Sequence, residues 1–229
     1  MSQWLLAILL GMAGYCSMLC ASPPNPTPKK ENRHPTDRIS FLVGGFMTAG
    51  GYVFTAPTIY HSIVVMCVHY APAYSPLICP LHESTNHLLF RWNTFSVTAI
   101  LVIYAGTYVR SLAYSELGRH FTFHLAAPDH LVTTGVYHWI QHPSYSGLAM
   151  VVVGLMSLFF RWDATPACWI DKCSCLYGWG FTISATLTGL FFCILGVRVR
   201  DEEIMLRGQF GQQWERWNRS TKRFIPGLI

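Results

Sequence analysis

Residues 138–160, HWIQHPSYSGLAMVVVGLMSLFF, decide how the rest of the chain is read. The second part, LAMVVVGLMSLFF (148–160), is nearly pure hydrocarbon, and no Asp, Glu, Lys or Arg occurs anywhere in 130–160. Such a run fits a membrane helix, which needs about 20 apolar residues. The first part is polar and ring-bearing, with Pro143 where a helix would begin. The sequence thus sets His138, Gln141, His142, Ser144 and Tyr145 at the mouth of a membrane helix.

Four more uncharged runs, 1–28, 39–82, 92–109 and 173–197, repeat the pattern. Of the 229 residues, 52% are hydrophobic and 12% charged. That is half the charge of a typical soluble domain, at about 25%. These features predict an all-α integral membrane protein with about five spans and a C-terminal amphipathic helix. The spans fall near 3–20, 43–66, 92–110, 144–161 and 178–197, and the second run has room for a re-entrant piece. SMLCAS (17–22) ends the first span with small residues, as a cleaved signal peptide does, but no Lys or Arg precedes it.

Charge then orients the chain, because cytosolic segments accumulate Lys and Arg. With five spans and a cytosolic C-terminus, only Arg91, Arg161 and Lys172 of the 16 basic residues fall on the lumenal side. That split predicts a retained first helix with a lumenal N-terminus. It also explains the net charge of +5 without a nucleic-acid partner. Cys16, Cys20, Cys67 and Cys193 lie in or beside apolar spans, where Cys acts as a small hydrophobe. Cys168, Cys173 and Cys175 share the lumenal loop 161–177 with no zinc-like spacing. No metal is expected there, and a local disulfide is one outcome.

Residues 1–110 hold three spans and a Pro-rich cytosolic connector (about 21–40) that includes SPPNPTPKKENRHPTDR (22–38), a poor helix former. Residues 111–229 hold the longest cytosolic loop (111–142), two spans and the tail. In that tail Leu206, Phe210, Trp214 and Trp217 form a helical apolar stripe. Gly208 and Gly211 each cost such a helix about 1 kcal/mol, so packing or the membrane surface must support it. VGGFMTAGG (43–51) reads as a small-residue face for helix packing.

The low-charge polar sequence all falls on one side: loop 111–142, the start of the fourth span and the end of the fifth. Pro143 suits the first helical turn, and His142, preceding it, is pushed toward an extended backbone and can cap the helix. The N–H groups of Ser144 and Tyr145 then face the cytosol with the helix dipole, a seat for a small anion such as a carboxylate. The same residues also suit an ordinary capped membrane helix with Trp139 and Tyr145 as interfacial aromatics. In RVRDEEIML (198–206), Arg198 and Glu202 share a helix face. Glu202 suits a cationic ligand group, and the planar fork of Arg198 suits a carboxylate. Snorkelling arginines and solvated acids would leave the same trace. No G-x-S-x-G elbow, P-loop or dinucleotide fingerprint occurs.

DHLVTTGVYHWIQHPSYSG (129–147), followed by RVRDEEIMLRGQFGQQWERWNRSTKRFIPGLI (198–229), resembles the isoprenylcysteine carboxyl methyltransferase family over roughly residues 110–229. The resemblance implies S-adenosylmethionine as cofactor, bound at the cytosolic face of the endoplasmic reticulum membrane without a Rossmann domain. It implies a prenylated C-terminal cysteine as substrate, reached from the lipid bilayer. Cofactor contacts carry over to Asp129, His130, Leu131, Val132, Tyr137, His142, Pro143, Ser144, Tyr145 and Glu202. In that arrangement the methionine carboxylate meets the helix start and its ammonium meets Glu202. Arg198 matches the position that holds the substrate carboxylate. No acid or base residue is required, because a carboxylate is already ionised and positioning and desolvation suffice.

One position departs from the family pattern. Gln141 stands where Arg is common, and it supplies hydrogen bonds without charge, which throws carboxylate binding onto Arg198. That departure favours a phospholipid or other lipid methyltransferase of the same superfamily as the alternative. The tail and HPSYSG also resemble NADPH-dependent sterol reductases, whose chains are longer. A non-enzymatic membrane adaptor would explain the spans but not two polar clusters on one side.

Overall fold

The computed structural model describes residues 2–43 and 45–227, apart from the side chains of Asn32, Phe46, Tyr177 and Gly178. The described residues are helical, with one isolated bridge between Ile140 and Lys222 and no strand. Among the described residues, four helices are long and apolar enough to cross a membrane. They belong to α1 (Gln3–Ala21), α2 (Gly45–Tyr70), α4 (Thr94–Leu117, continued by a short turn to His120) and α6 (Cys175–Phe210). The single turn α3 (Ser75–Ile78) lies between α2 and α4. The stretch that opened the sequence reading becomes α5 (Pro143–Leu158), an apolar helix of 16 residues. At 1.5 Å per residue it is about 24 Å long, shorter than a bilayer core of about 30 Å.

Each helix follows from its side chains. In α1, Leu6, Leu10, Ala13, Ser17 and Cys20 recur every three or four residues and are buried, while Trp4, Ile8, Met12, Tyr15 and Leu19 face outward. Asn93 starts α4 by accepting a hydrogen bond from the Ser96 N–H at 3.0 Å, and Ser174 starts α6 by accepting from the Leu176 N–H at 3.2 Å. The core gathers α1, α2, α4 and α5 around Leu6, Leu10, Ile103, Leu155 and Phe159.

The two ends of the bundle differ in chemistry. At one end the Trp92 indole donates to the Ser2 carbonyl (3.1 Å), and Arg161 grips Asp163 with two hydrogen bonds. Cys79 and Cys168, 89 residues apart, form a disulfide there. This answers the question left open in the lumenal loop: Cys168 pairs outside it, and Cys173 and Cys175 are free and exposed. The short helix Thr165–Cys168 turns the loop back so that Cys168 meets Cys79, a contact between two loops that spacing within one loop cannot reveal.

At the other end lie the connector, the loop 118–142 and the tail. Asn25 donates to the carbonyls of Gly118 (2.7 Å) and Phe121 (2.8 Å). The helix that holds the expected fifth span does not stop near 197. α6 continues for 36 residues, about 54 Å, and carries Arg198 and Glu202 on one unbroken helix. Its first half is covered by little protein, with Trp179, Phe181, Leu187 and Leu190 exposed. Gly211, at φ +49°, ends it in a left-handed conformation that glycine adopts without strain. α7 (Gln212–Ser220) then folds back and buries Trp214 and Trp217 against Leu131, Tyr137 and Ala113, with Leu206 and Phe210 beside them. The apolar stripe of the tail is thus split over two helices that share one small core.

Candidate active site

A cavity of about 310 Å³ opens where the polar ends of α4, α5 and α6 meet. Its rim includes Ile39, Leu42 and Val43 of the connector, and one wall includes His124, Leu131 and Tyr137. It continues as an apolar cleft between α5 and α6, lined by Val151, Val152, Leu155, Phe191, Ile194 and Leu195.

The polar turn before α5 is held by the tail. The N–H groups of Gln141 and His142 donate to the carbonyls of Lys222 (2.7 Å) and Arg223 (3.0 Å). The Gln141 carboxamide donates to the Asn218 carbonyl and to both the carbonyl and hydroxyl of Thr221. Its Oε1 is buried without a hydrogen-bond partner. The His142 ring shares a 3.3 Å hydrogen bond between Nε2 and Glu203, which also takes two bonds from Arg223. His142 Nδ1 has no hydrogen-bond partner and lies 3.8 Å from Glu202 Oε1. Glu203 acts here as the carboxylate that orients an imidazole.

Two buried arginines meet the same cavity with different partners. Arg110, two turns before the end of α4, is used up by neutral acceptors: the Cys20 carbonyl, and the Ser144 carbonyl (3.0 Å) and hydroxyl (2.8 Å). Arg198 instead faces Asp37 of the connector, Nη1 to Oδ1 at 2.7 Å. Its Nε donates to the Tyr145 hydroxyl (3.3 Å) and its Nη2 to the Phe123 carbonyl. Tyr145 in turn donates to Glu202 at 2.6 Å, so Arg198, Tyr145 and Glu202 form one polar chain. Burial and the nearby charge of Glu202 push the Tyr137 phenol well above its ordinary pKa, which keeps it a donor. Burial, reinforced by Arg33, pushes the His124 imidazole down, and its Nδ1 also lacks a partner.

Of the residues singled out in the sequence, His130, Leu131, Val132, Tyr137, His142, Ser144, Tyr145, Arg198 and Glu202 all line this cavity. Pro143 is buried as the first residue of α5. Asp129 is exposed and pairs with Arg119 at 3.2 Å, away from the lining. One local expectation is corrected. His142 is the cap of α5, at φ −124°, ψ 56°, and acts through its carbonyl, which accepts from the N–H groups of Tyr145 (3.1 Å) and Ser146 (3.0 Å). The Tyr145 N–H is therefore consumed by a tight first turn. Arg198 has a carboxylate beside it, supplied by the connector.

Asp37, Arg110 and Glu203 were not read from the sequence as members of the site. Arg110 was visible as a lone charge closing an apolar run, and loop sorting accounted for it. Asp37 lay in a Pro-rich stretch whose composition reads as a solvated linker.

Residues 98–179 match the isoprenylcysteine carboxyl methyltransferase (ICMT) family. The chain is similar to a probable protein-S-isoprenylcysteine O-methyltransferase of Oryza sativa subsp. indica, 28% identical over 155 residues, covering 64% of this chain and 71% of the relative. It is similar to protein-S-isoprenylcysteine O-methyltransferases of Schizosaccharomyces pombe (26% over 141 residues; 60% of this chain) and Dictyostelium discoideum (31% over 143 residues; 59% of this chain). In both of these the match spans 52% of the relative, about half its length.

Proposed function

We propose that this membrane protein methylates the C-terminal carboxylate of prenylated cysteine, using S-adenosylmethionine, at the cytosolic face of the endoplasmic reticulum. The family domain and the names of the relatives support carboxyl O-methylation. The observation that carries the finer reading is one continuous cavity. It joins the Arg198–Tyr145–Glu202 chain to an apolar cleft between α5 and α6. A substrate that is a carboxylate at one end and an isoprenoid at the other has that same division.

The residues present fit the cofactor. Around the cavity stand four buried polar atoms without a hydrogen-bond partner, Gln141 Oε1, His142 Nδ1, His124 Nδ1 and Arg198 Nη1, together with the carboxylate of Glu202. The first three with Glu202 suit the cationic, donor-rich part of a ligand, and Arg198 Nη1 suits a carboxylate. Glu202 and His142 would hold its ammonium group, with Leu131, Val132 and Tyr137 along its flank. When bound, S-adenosylmethionine supplies a methyl group activated on a sulfonium. Arg198 orients the accepting carboxylate with its fork, Tyr145 holds Arg198 and Glu202 in one register, and the connector excludes water. A carboxylate needs no deprotonation, and no side chain is asked to act as base.

The ends of the bundle support the orientation. The Cys79–Cys168 disulfide lies at the end opposite the cavity, and disulfides persist in oxidising compartments such as the endoplasmic reticulum lumen. The cavity then faces the cytosol, with the N-terminus lumenal. Gln141 does not favour a lipid-amine substrate, because its carboxamide serves as a strut to the tail. The test supplies purified protein with labelled S-adenosylmethionine and an N-acetylated farnesylcysteine, then measures base-labile methyl ester. Absence of ester, with methylation of a phospholipid amine instead, overturns the reading.

A further inference from the structure

We propose that Asp37 is a resident stand-in for the substrate carboxylate, so that substrate binds by displacing it from Arg198 and lifting the connector. This rests on the reading of Arg198 as the residue that receives the substrate carboxylate.

Each nitrogen of that arginine has a neighbour, but only two of them make hydrogen bonds. Its Nε donates to Tyr145 and its Nη2 to the Phe123 carbonyl, whereas Nη1 lies 2.7 Å from Asp37 Oδ1 as an ion pair in which neither atom has a hydrogen-bond partner. Two of these partners belong to the site itself or to its wall. The third is a carboxylate delivered by a segment remote in sequence, and the pair is nearly closed to solvent, with 8% and 2% of the side chains exposed. Arg110 is satisfied by neutral oxygens, whereas Arg198 is paired with a carboxylate, and removing one partner of such a buried pair without replacing it is strongly destabilising. Exchanging one carboxylate for another keeps Arg198 paired. Burial of an isoprenoid chain in the α5–α6 cleft can then drive the exchange.

The connector is held by a short series of polar contacts. Its Pro-rich part, residues 23–28, forms no helix, and Asn25 within it is fixed to the Gly118 and Phe121 carbonyls. The His34 N–H donates to the Leu125 carbonyl (2.7 Å), and the Leu125 N–H donates to Asp37 Oδ2 (3.0 Å). Arg38, next in sequence, binds the buried Asp201 of α6 through its backbone N–H, Nε and Nη2. Ile39, Leu42 and Val43 follow directly and roof the cavity. Withdrawal of Asp37 therefore displaces the roof, and the roof cannot settle fully while Asp37 is out. A closed state of this kind raises the apparent substrate KM by the inverse of the fraction that is open.

The test uses the whole protein in detergent. Asp37→Asn, which keeps the shape and removes the charge, is expected to lower the KM for N-acetylated farnesylcysteine on the order of 3- to 10-fold, with cofactor affinity unchanged. Arg38→Gln, which loosens the same segment outside the Arg198 fork, should shift KM in the same direction. In the wild type, the free acid should speed hydrogen exchange at the Leu125 amide, whereas its methyl ester, lacking the anion, should not. A KM unchanged or raised in Asp37→Asn, or Leu125 exchange that the free acid leaves unchanged or slows, overturns the proposal. Failure of the wild type to form ester would refute the methyltransferase reading instead. The exchange response to the free acid still reports on Asp37 in that case, because it requires binding and not turnover.

Discussion

Gly106 of α4 and Gly147 of α5 cross so closely that a Cβ added to either would meet the other's carbonyl oxygen, at 2.6 Å and 2.5 Å respectively. Gly147 is also within 2.8 Å of the Arg110 backbone nitrogen by the same construction. This close crossing is what lets Arg110 reach the Ser144 carbonyl and hydroxyl and set the start of α5. Small residues that allow helices to approach are a recurrent way to pack membrane helices.

Gly147→Ala should therefore force α4 and α5 apart, with a cost of about 1–3 kcal/mol as for other overpacked sites. Thermal unfolding in detergent should fall, and cofactor affinity with it, because Ser144 and Tyr145 move together. Gly189→Ala, where an added Cβ meets nothing within 4 Å, is the control and should change neither.

Glu202 accepts from Tyr145 and faces His142, and it is the anion of the site that the connector does not already pair. Glu202→Gln should weaken S-adenosylmethionine binding about 10- to 100-fold, the range expected for loss of a charged hydrogen bond of roughly 1.5–3 kcal/mol. Titration calorimetry measures this directly. Asp129→Asn should leave binding unchanged, since Asp129 is exposed and paired with Arg119.

Gln141 spends both protons of its carboxamide on the tail, which makes it a structural tie at the rim of the site. Gln141→Leu should cost about 1–3 kcal/mol through the buried acceptors of Asn218 and Thr221 left unpaired. Hydrogen exchange should rise in residues 218–223 before it rises in α4 or α5.

Reduction of Cys79–Cys168, or the double substitution Cys79→Ser and Cys168→Ser, removes a link between loops 89 residues apart. The loss is expected to be about 4.6 kcal/mol by the chain-entropy relation, read as a lower unfolding temperature. In sealed microsomes a membrane-impermeant maleimide should label the exposed Cys173 and Cys175 only after the vesicles are opened. Labelling from outside intact vesicles would reverse the proposed orientation.

Asp163 in the same region gives a pH signature. Burial pushes its carboxyl up, but hydrogen bonds from Arg161 and Asn86 outweigh this and hold it below its ordinary value of 3.8. The stabilisation is present above that value and lost as pH falls through the lower folded one, so the ion pair should be insensitive to pH between neutrality and about 4. Asp163→Asn should lower the unfolding temperature at pH 7 and narrow its gap from the wild type below pH 4.

The sequence by itself determined the helices. Runs without charge, bounded by Arg110, Pro143, Arg161 and Arg198, locate apolar segments because a bilayer demands both length and absence of charge. The start of α5 was legible for a similarly local reason, since the first turn is where Pro143 costs a helix no hydrogen bond. His142, Tyr145, Arg198 and Glu202 were legible as polar groups at helix ends on one side. Tertiary structure alone decided their partners. The pairing of Asp37 with Arg198 spans 161 residues, the disulfide spans 89, and Gln141 reaches 80 residues to Thr221. No local period encodes such contacts. They exist because helices crossing at Gly106 and Gly147 bring remote loops to one end of the bundle, where buried charges and donors must find partners that the neighbouring sequence does not provide.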